Sequence, residues 1–305
     1  MYAATSSFCL HSKKPLSLLK NNSLFLKKNT KRRKLNQSEL IQDLSDCVGV
    51  IAGTEEYRED VISKLNKLKV ISRLGVGTDN IDINYALSKG IKIFTTENGP
   101  YEAVAELVIT YILSFYRHIN QSFIDLKNGI WNKRTGYLLS GKTVGIIGFG
   151  NIGKQVARLL QPFNCQILTF DLLRDKDFEI NYGVKFVDIN ELLKKSNIIT
   201  LHLNLNPKTR HFINQSTISK MKKDCLLINT SRGEIIDEKS LYNNLSKGHL
   251  LGACLDVFEN EPYNGLLREL DNVLLTPHIG SYARETRIKL ELEATENLIT
   301  GIIND

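Results

Sequence analysis

Short apolar runs alternate along the chain with longer stretches in which apolar residues recur at helical spacing. Runs such as Val144–Ile147 and Cys225–Asn229 have the length and composition of strands that are buried on both faces of a parallel sheet. The amphipathic stretches between such runs have the pattern of helices that cover the sheet. The alternation is interrupted at Glu97–Pro100 and resumes near Lys142, so the pattern predicts two α/β domains.

The chain before Glu97 contains the elements of a first, smaller parallel sheet. Its predicted strands are Ser6–Leu10, Ser23–Leu26, Cys47–Ala52, Lys69–Arg73 and Ile91–Phe94. Its predicted helices are Pro15–Lys20, Ser38–Leu44, Asp60–Leu68 and Ile83–Ser88.

A long helix is then predicted from Pro100 to Ile119, since Pro is favourable in a first helical turn and the apolar surface continues along the segment. This surface is wider than one sheet requires. The helix therefore either contacts a second domain or subunit, or is buried within a single core.

Beyond Lys142 the alternation describes a larger domain. Its predicted strands are Val144–Ile147, Gln166–Asp171, Asn197–Leu201, Cys225–Asn229, Leu250–Asp256 and Val273–Thr276. Its predicted helices are Lys154–Leu160, Ile189–Lys195, Ser216–Lys222 and Asp237–Lys247. Ligands of an open parallel sheet bind beyond the carboxyl ends of its strands, so the residues that follow these strands are the candidates for chemistry.

A glycine-rich turn follows the first strand of this domain and opens a helix. Gly148 permits the tight turn, Gly150 lets the backbone approach a pyrophosphate, and Gly153 allows the helix to pack closely on the strand. Asp171 ends the next strand, where a carboxylate accepts hydrogen bonds from ribose hydroxyls and repels a 2′-phosphate. The pattern predicts NAD as the cofactor in preference to NADP, although Arg174 leaves room for NADP. A turn that binds no nucleotide is the alternative.

Three polar residues with complementary chemistry follow successive strands of the same sheet: Arg232, Glu261 and His278. Arg232 has the donors to hold the carboxylate and keto oxygen of a 2-keto acid. His278 can supply a proton to the alkoxide, and Glu261 can orient its imidazole. Taken singly, the arginine could instead form a surface ion pair, and the histidine could be a structural residue with a hydrogen-bonded ring. Together they predict hydride transfer between a nicotinamide and a 2-hydroxy acid.

Composition narrows the class of protein. The 305 residues carry a net charge of +7, and 42% of them are hydrophobic, as expected for packed domains. The basic run Lys27–Lys34 has no interleaved aromatic residues, so we expect a solvated loop and no nucleic-acid site. Five scattered cysteines without metal-ligand spacing indicate reduced thiols, a cytoplasmic location and no bound metal. Neither a secretion signal nor a membrane span is expected.

These motifs resemble the D-2-hydroxyacid dehydrogenase family, and within it the members similar to phosphoglycerate dehydrogenase. The resemblance covers nearly the whole chain and rests on Leu74–Asp82, Ala103–Glu106, Gly148–Gly153, Asn229–Asp237, Asp256–Pro262 and Pro277–Gly280. It implies two Rossmann-like, doubly wound parallel-sheet domains, with an NAD-binding domain (98–280) inserted into a substrate domain (1–97 and 281–305). The last helix, 281–304, belongs to the substrate domain. A homodimer built on the helix near Pro100 is also implied.

The resemblance further implies the roles of individual residues. Arg232, Glu261 and His278 are then catalytic. The implied cofactor-binding residues are Gly148, Gly150, Asn151, Ile152, Gly153, Asp171, Leu203, Thr230, Ser231, Asp256 and Gly280.

The predicted substrate-binding residues are Arg73, Gly75, Val76 and Gly77. The backbone N–H groups of Gly75–Gly77 can form a cradle for a carboxylate. Arg73 resembles an arginine found at this place in phosphoglycerate dehydrogenases, and it could reach a phosphate. A tight turn and a structural arginine are the alternatives.

The substrate itself stays open at this point. The pair 3-phosphoglycerate and phosphohydroxypyruvate, of serine biosynthesis, is the first expectation, with glyoxylate, hydroxypyruvate or phosphite as alternatives. Glu261 argues against formate, for which the resemblance leads us to expect Gln near the histidine. A non-enzymatic NAD-sensing corepressor is the remaining class, because the same fold serves that role.

Overall fold

A computed structural model describes residues 1–97 and 99–303 of the chain. Its residues pack as two units, Met1–Pro100 with Tyr282–Asp305 and Tyr101–Ser281. The predicted domain bounds, 98–280 inserted between 1–97 and 281–305, stay a prediction. Asn98, where the second domain was predicted to begin, and Asn304 and Asp305, at the predicted end of the first, lie outside the described residues.

The described part of the first unit contains a parallel sheet with the strand order β2-β1-β3-β4-β5. Its strands are β1 (Tyr2–Ala3), β2 (Lys27–Lys28), β3 (Gly49–Ala52), β4 (Val70–Arg73) and β5 (Lys92–Thr95). Its helices are α1 (Lys14–Asn21), α2 (Gln37–Leu44), α3 (Glu59–Ile62), α4 (Ile83–Ser88) and α12 (Arg284–Ile303).

Helix α12 returns the end of the chain to the first sheet. Leu290, Ala294 and Leu298 pack with residues of β3 and β4 in one apolar cluster. Ser72, within β4, donates a hydrogen bond of 2.7 Å to the Ala294 carbonyl. Helices α2 to α4 contribute to a separate cluster with these strands. The sheet is therefore covered by helices from two distant parts of the sequence.

The described part of the second unit contains a larger parallel sheet with the order β12-β11-β10-β9-β6-β7-β8. Its strands are β6 (Thr143–Ile147), β7 (Gln166–Phe170), β8 (Val184–Phe186), β9 (Ile198–Leu201), β10 (Leu226–Asn229), β11 (Gly252–Leu255) and β12 (Val273–Leu275). Its helices are α5 (Tyr101–Tyr116), α6 (Ile119–Lys127), α7 (Asn151–Leu160), α8 (Lys176–Tyr182), α9 (Ile189–Lys195), α10 (Gln215–Ile218) and α11 (Glu238–Ser246).

Both sheets are parallel and wound in two directions from an inner strand, as predicted for the fold class. In the second unit the chain runs outward from β6 through β7 to β8, then crosses to β9 and continues to β12 on the other side. The switch point of the sheet therefore lies between β6 and β9, next to the glycine turn.

Several predicted elements were wrong or misplaced. The predicted strands Ser6–Leu10 and Ser23–Leu26 are not strands. The first two strands lie nearby instead, at Tyr2–Ala3 and Lys27–Lys28. In the first of these segments the backbone forms turns: the Phe8 N–H donates to the Thr5 carbonyl at 3.3 Å, and the Leu10 N–H donates to the Ser7 carbonyl at 3.2 Å. The predicted helix Asp60–Leu68 ends at Ile62. Elements α8 and β8 were not predicted.

The predicted long helix Pro100–Ile119 corresponds to α5, which ends at Tyr116, and α6 beyond it was not predicted. His118, between them, has φ of 50°, a left-handed conformation that ends a right-handed helix. Ala105, Val108 and Ile112 of α5 are buried in the core of the second unit. Among the described residues, no helix combines the length and the apolar composition that a bilayer crossing requires.

Candidate active site

The glycine turn lies at the switch point of the second sheet. Ile147, the last residue of β6, is paired with Phe170 of β7 on one side and Leu201 of β9 on the other. The residues that follow these three positions, Gly148, Asp171 and His202, therefore share one edge of the sheet. Helix α7 begins at Asn151, so its first N–H groups lie beside this edge, where they can bind an anion.

The three glycines have different surroundings. Gly148 has φ of 91°, and a Cβ atom there would overlap the His202 carbonyl oxygen. A Cβ atom at Gly153 would overlap the Gly148 carbonyl oxygen, so this glycine allows α7 to approach the turn. At Gly150 a Cβ atom would meet no described atom within 4 Å. The first and third glycines thus serve the fold, and the middle one borders open space that fits a phosphate group.

Asp171 is fixed by backbone donors next to the turn. Its carboxylate accepts hydrogen bonds from the Phe149 N–H at 2.5 Å and from the Leu173 N–H at 3.1 Å. A carboxylate has about four acceptor positions, so two remain for other donors. Its position on the edge shared with Gly148 suits the hydroxyls of a ribose.

Arg232 follows β10 in a turn that is organised by Asn229. The Asn229 side chain donates to the Arg232 carbonyl at 2.8 Å and accepts from the Ser231 N–H at 3.0 Å and the Ser231 hydroxyl at 2.7 Å. Arg232 itself donates from Nη1 to the Ser231 carbonyl at 2.7 Å. Asn229 was predicted only as a strand residue, because its role depends on contacts within a turn that periodicity does not describe.

The carboxyl ends of β10, β11 and β12 are aligned. Asn229 is paired with Leu255, and Leu255 with Leu275. Gly233, next to Arg232, packs so closely on the backbone of Phe258 and Glu259 that a Cβ atom would overlap it. The loop that carries Glu261 therefore lies beside the turn that carries Arg232.

His278 and Glu261 are in direct contact. His278 Nδ1 lies 2.8 Å from Glu261 Oε2 and 3.1 Å from Oε1, and both side chains are partly exposed. Glu261 precedes a cis peptide bond to Pro262 and also accepts from the Phe258 N–H at 3.3 Å. Because a carboxylate accepts, Nδ1 carries the proton and Nε2 becomes the ring nitrogen that can exchange a proton with a ligand.

Asp256 holds the backbone around His278. Its carboxylate accepts from the N–H groups of Ile279 and Gly280, each at 2.7 Å, and from the Thr276 hydroxyl. Burial raises the pKa of this carboxyl, although these hydrogen bonds act in the opposite direction. His278 has φ of 54°, an uncommon conformation for a residue with a side chain, and its N–H donates to the Asp256 carbonyl at 2.8 Å.

Thr276 and Tyr111 extend this network and were not predicted as site residues. The Tyr111 hydroxyl hydrogen bonds with that of Thr276, so helix α5 is linked to the carboxylate that positions the histidine loop. Burial raises the pKa of the Tyr111 hydroxyl well above its ordinary value. No pattern in the sequence predicts this contact, since Tyr111 is one of the regularly spaced apolar residues of its helix.

The remaining predicted cofactor residues lie around the same edge. Asn151 and Ile152 form the first turn of α7, Leu203 follows β9, and Gly280 lies against the Asp256 carboxylate. Thr230 has a buried hydroxyl for which no described residue is a hydrogen-bond partner. A buried hydroxyl of this kind is usually satisfied by a ligand or water. The open space at Gly150 and the Thr230 hydroxyl thus fit a bound dinucleotide.

The predicted substrate residues lie in the first unit, with Arg73 at the end of β4 and the other three just after it. Gly75 has φ of 135°, and its N–H donates to the Thr96 hydroxyl at 3.0 Å. Arg73 is buried and donates from Nη1 to the Leu74 carbonyl, while Val76 is exposed. The described residues contain no group of three or more His, Cys, Asp or Glu side chains that could hold a metal ion.

Comparison with known proteins places the chain in a family. Residues 109–280 match the profile described as "D-isomer specific 2-hydroxyacid dehydrogenase, NAD binding domain". The chain is 42% identical to D-3-phosphoglycerate dehydrogenase of Methanocaldococcus jannaschii over 83% of its length, although it spans only 49% of that relative. It is 39% identical to hydroxypyruvate reductase of Thermotoga maritima, covering 87% of this chain and 88% of that one.

A solved structure agrees with these relatives. D-lactate dehydrogenase of Aquifex aeolicus, in complex with NAD and lactic acid, superposes with a TM-score of 0.85 at 27% identity and covers 100% of this chain and 95% of that one. The chain therefore belongs to the D-isomer-specific 2-hydroxyacid dehydrogenases, NAD-dependent oxidoreductases that act on the CH–OH group of a 2-hydroxy acid.

Proposed function

We propose that this protein catalyses hydride transfer between NAD(H) and a 2-keto or 2-hydroxy acid, with His278 as the acid-base residue. The observation that carries the proposal is the hydrogen bond of 2.8 Å between His278 and Glu261, at the carboxyl edge of the nucleotide-binding sheet. Glu261 orients the ring through Nδ1. His278 then gives a proton to the substrate oxygen during reduction and takes it back during oxidation. NAD supplies or accepts the hydride.

Arg232 binds the substrate in this proposal. Its guanidinium has a planar fork of donors that suits a carboxylate and the neighbouring keto oxygen. The Asn229 side chain fixes the turn from which the guanidinium extends. A fixed arginine loses less entropy when the substrate binds, so the positive charge is available where negative charge develops on the oxygen.

For the substrate, we propose 3-phosphoglycerate and phosphohydroxypyruvate first, with the place in serine biosynthesis that they imply. The archaeal D-3-phosphoglycerate dehydrogenase supports this assignment. In this proposal the N–H groups of Val76 and Gly77 hold a carboxylate, and Arg73 binds the phosphate. Gly75 shapes their turn, since its own N–H is bonded to the Thr96 hydroxyl. Hydroxypyruvate or glyoxylate is the second candidate, which is supported by the similarity to hydroxypyruvate reductase along nearly its whole length and by the burial of Arg73.

One assay tests both the reaction and the substrate. NADH absorbance is followed with phosphohydroxypyruvate, hydroxypyruvate, glyoxylate and pyruvate, each at several concentrations. We expect NADH to be consumed with at least one of these acids and the product to be the D-isomer where the product is chiral. A preference of orders of magnitude for phosphohydroxypyruvate supports the first substrate. An absence of NADH consumption with every acid, by a protein that binds NADH, contradicts the proposed reaction.

We further propose a homodimer that buries the apolar segment from α6 to Leu138. Large apolar side chains are exposed here in an unusual number: Ile119, Phe123, Ile124, Leu126, Ile130, Trp131, Tyr137 and Leu138. Many exposed apolar side chains within one segment are typical of a protein interface, and the aromatic content of this segment agrees with that role.

Two contacts fix parts of the same segment. Arg134 forms an ion pair of 2.8 Å with Asp125, and the Tyr137 N–H donates to the Tyr116 carbonyl at 2.9 Å. A prearranged surface loses little entropy on association. We also propose a cytoplasmic location, in agreement with the five free thiols.

A further inference from the structure

The segment after Asp171 contains two basic side chains that are each bound by an acidic partner. Arg174 contacts Glu179 through two donors, Nε to Oε2 at 2.8 Å and Nη2 to Oε1 at 2.9 Å. Lys154, in the helix that begins at the glycine turn, lies 2.6 Å from Asp175. These contacts lower the pKa values of the Glu179 and Asp175 carboxyls. The cations beside the predicted ribose site are therefore already neutralised.

We propose that Glu179 is a positioning residue for cofactor choice, which holds the Arg174 guanidinium so that it cannot bind the 2′-phosphate of NADP. Asp171 then repels the phosphate, and Glu179 withholds the cation that would offset this repulsion. The inference deepens the NAD assignment of the proposed function and rests on it.

The geometry gives Arg174 two possible partners of the same chemical kind. An arginine fork binds a carboxylate or a phosphate through the same pair of donors, so the two anions compete for it. Arg174 is only three positions beyond Asp171, which makes it a natural ligand for an anion on the ribose. In the structure its fork points to Glu179, and its guanidinium carbon lies 6.0 Å from the centre of the Phe186 ring.

Glu179 is itself held in place. Its Oε1 accepts from the Phe186 N–H at 3.4 Å, so the carboxylate is tied to the edge strand β8 as well as to its own helix α8. The alternative is an ordinary surface ion pair, which contributes little to stability and nothing to ligand choice. The chain contains such a surface ion pair, between Glu191 Oε1 and Lys195 Nζ at 2.8 Å, and this pair serves as a matched control. The side-chain exposures are 59% for Lys195 and 28% for Glu191, against 57% for Arg174 and 20% for Glu179.

The test measures binding of the adenosine half of each cofactor to the full chain by calorimetry, with 5′-AMP as the probe for NAD and 2′,5′-ADP as the probe for NADP. It is performed in an Asp171→Ser background, because removal of the repelling carboxylate brings the affinity for the 2′-phosphate into a measurable range. Glu179→Gln, Glu179→Ala and Glu191→Gln are compared in this background.

We expect both Glu179 substitutions to tighten 2′,5′-ADP binding about tenfold, which corresponds to ~1.4 kcal/mol, and to change 5′-AMP binding less than about twofold. Addition of Arg174→Ala removes the gain, and Glu191→Gln has no effect on either probe. An unchanged affinity for 2′,5′-ADP, or a gain that persists without Arg174, overturns the inference. Failure of 5′-AMP to bind the unsubstituted protein contradicts the nucleotide site itself, which is a separate outcome.

Discussion

Gly148, Gly150 and Gly153 lie within one turn, yet an added methyl group would meet a different environment at each of them. At Gly148 it would face strain from a φ of 91° and overlap with a backbone carbonyl. At Gly150 the methyl group would enter open space on the side of the turn where the nucleotide phosphates are expected. Folding and binding are therefore separable within one motif.

We predict that Gly150→Ala leaves the free energy of unfolding within about 0.5 kcal/mol of the original value. The same substitution weakens NADH binding at least about tenfold, because its methyl group occupies the space of the pyrophosphate. Gly148→Ala is the comparison, and we expect it to lower the free energy of unfolding by about 1–3 kcal/mol. Urea unfolding and NADH fluorescence titration measure the two quantities. Unchanged NADH affinity in Gly150→Ala would show that this glycine does not adjoin the cofactor.

The contacts around His278 show what a sequence conveys about single residues and what it omits. Arg232, Glu261 and His278 were recognisable because they are polar residues at the ends of apolar strands. Asn229, Thr276 and Tyr111 were not, because each contributes through a hydrogen bond whose partner is distant in sequence or lies in a turn. Asp256 was predicted as a cofactor residue, but its contacts with the backbone N–H groups of Ile279 and Gly280 were not predicted.

At the scale of whole elements, α2 is stabilised by a reciprocal cap at its start. The Asn36 side chain accepts from the Glu39 N–H at 2.9 Å, and the Glu39 carboxylate accepts from the Asn36 N–H at 3.0 Å. Such a cap satisfies two backbone donors that a helix otherwise leaves without intrahelical partners.

We predict that Asn36→Ala lowers the free energy of unfolding of the first unit by about 1 kcal/mol. Asn36→Asp retains the acceptor and should change it by less than half of that amount. Native-state hydrogen exchange of the amides in α2 and β3 gives the local value. Equal exchange in the Ala variant and the original protein would mean that the cap contributes nothing to stability.

The predicted helices and strands agree best with the structure where the local sequence pattern is strong. Helices α4 and α9 have the predicted bounds, since each is preceded by a capping aspartate, Asp82 or Asp188. The inner strands were recognised because they are apolar throughout. Strand β1 and the edge strands β2 and β8 are short and depend on pairing with a neighbour, which sequence periodicity does not encode. Helix α8 was missed because its sequence is mostly polar, with Phe178 as its buried residue.

At the scale of the whole molecule, the apolar surface from α6 to Leu138 makes a prediction about assembly. Trp131 is 80% exposed in this surface and is the one tryptophan of the chain, so its fluorescence reports on the surface directly. Burial in an interface moves this emission to shorter wavelength.

We predict that the protein sediments as a dimer and that Phe123→Asp shifts it to the monomer, with emission at longer wavelength. A buried charge without a partner opposes association. Phe25→Asp is the control, since Phe25 is 88% exposed in the first unit and outside this surface. A monomer before any substitution, or dissociation by both substitutions alike, would argue against the proposed interface.

The central claim is that His278, oriented by Glu261, exchanges a proton with the substrate oxygen. The most direct test is the single-turnover rate of NADH oxidation by the preferred keto acid in the original protein and in His278→Asn. Asn suits this position because it tolerates the positive φ of His278. We predict a rate that is lower by about 10²–10⁴-fold, with NADH affinity unchanged within about twofold. A rate equal to that of the original protein would contradict the claim.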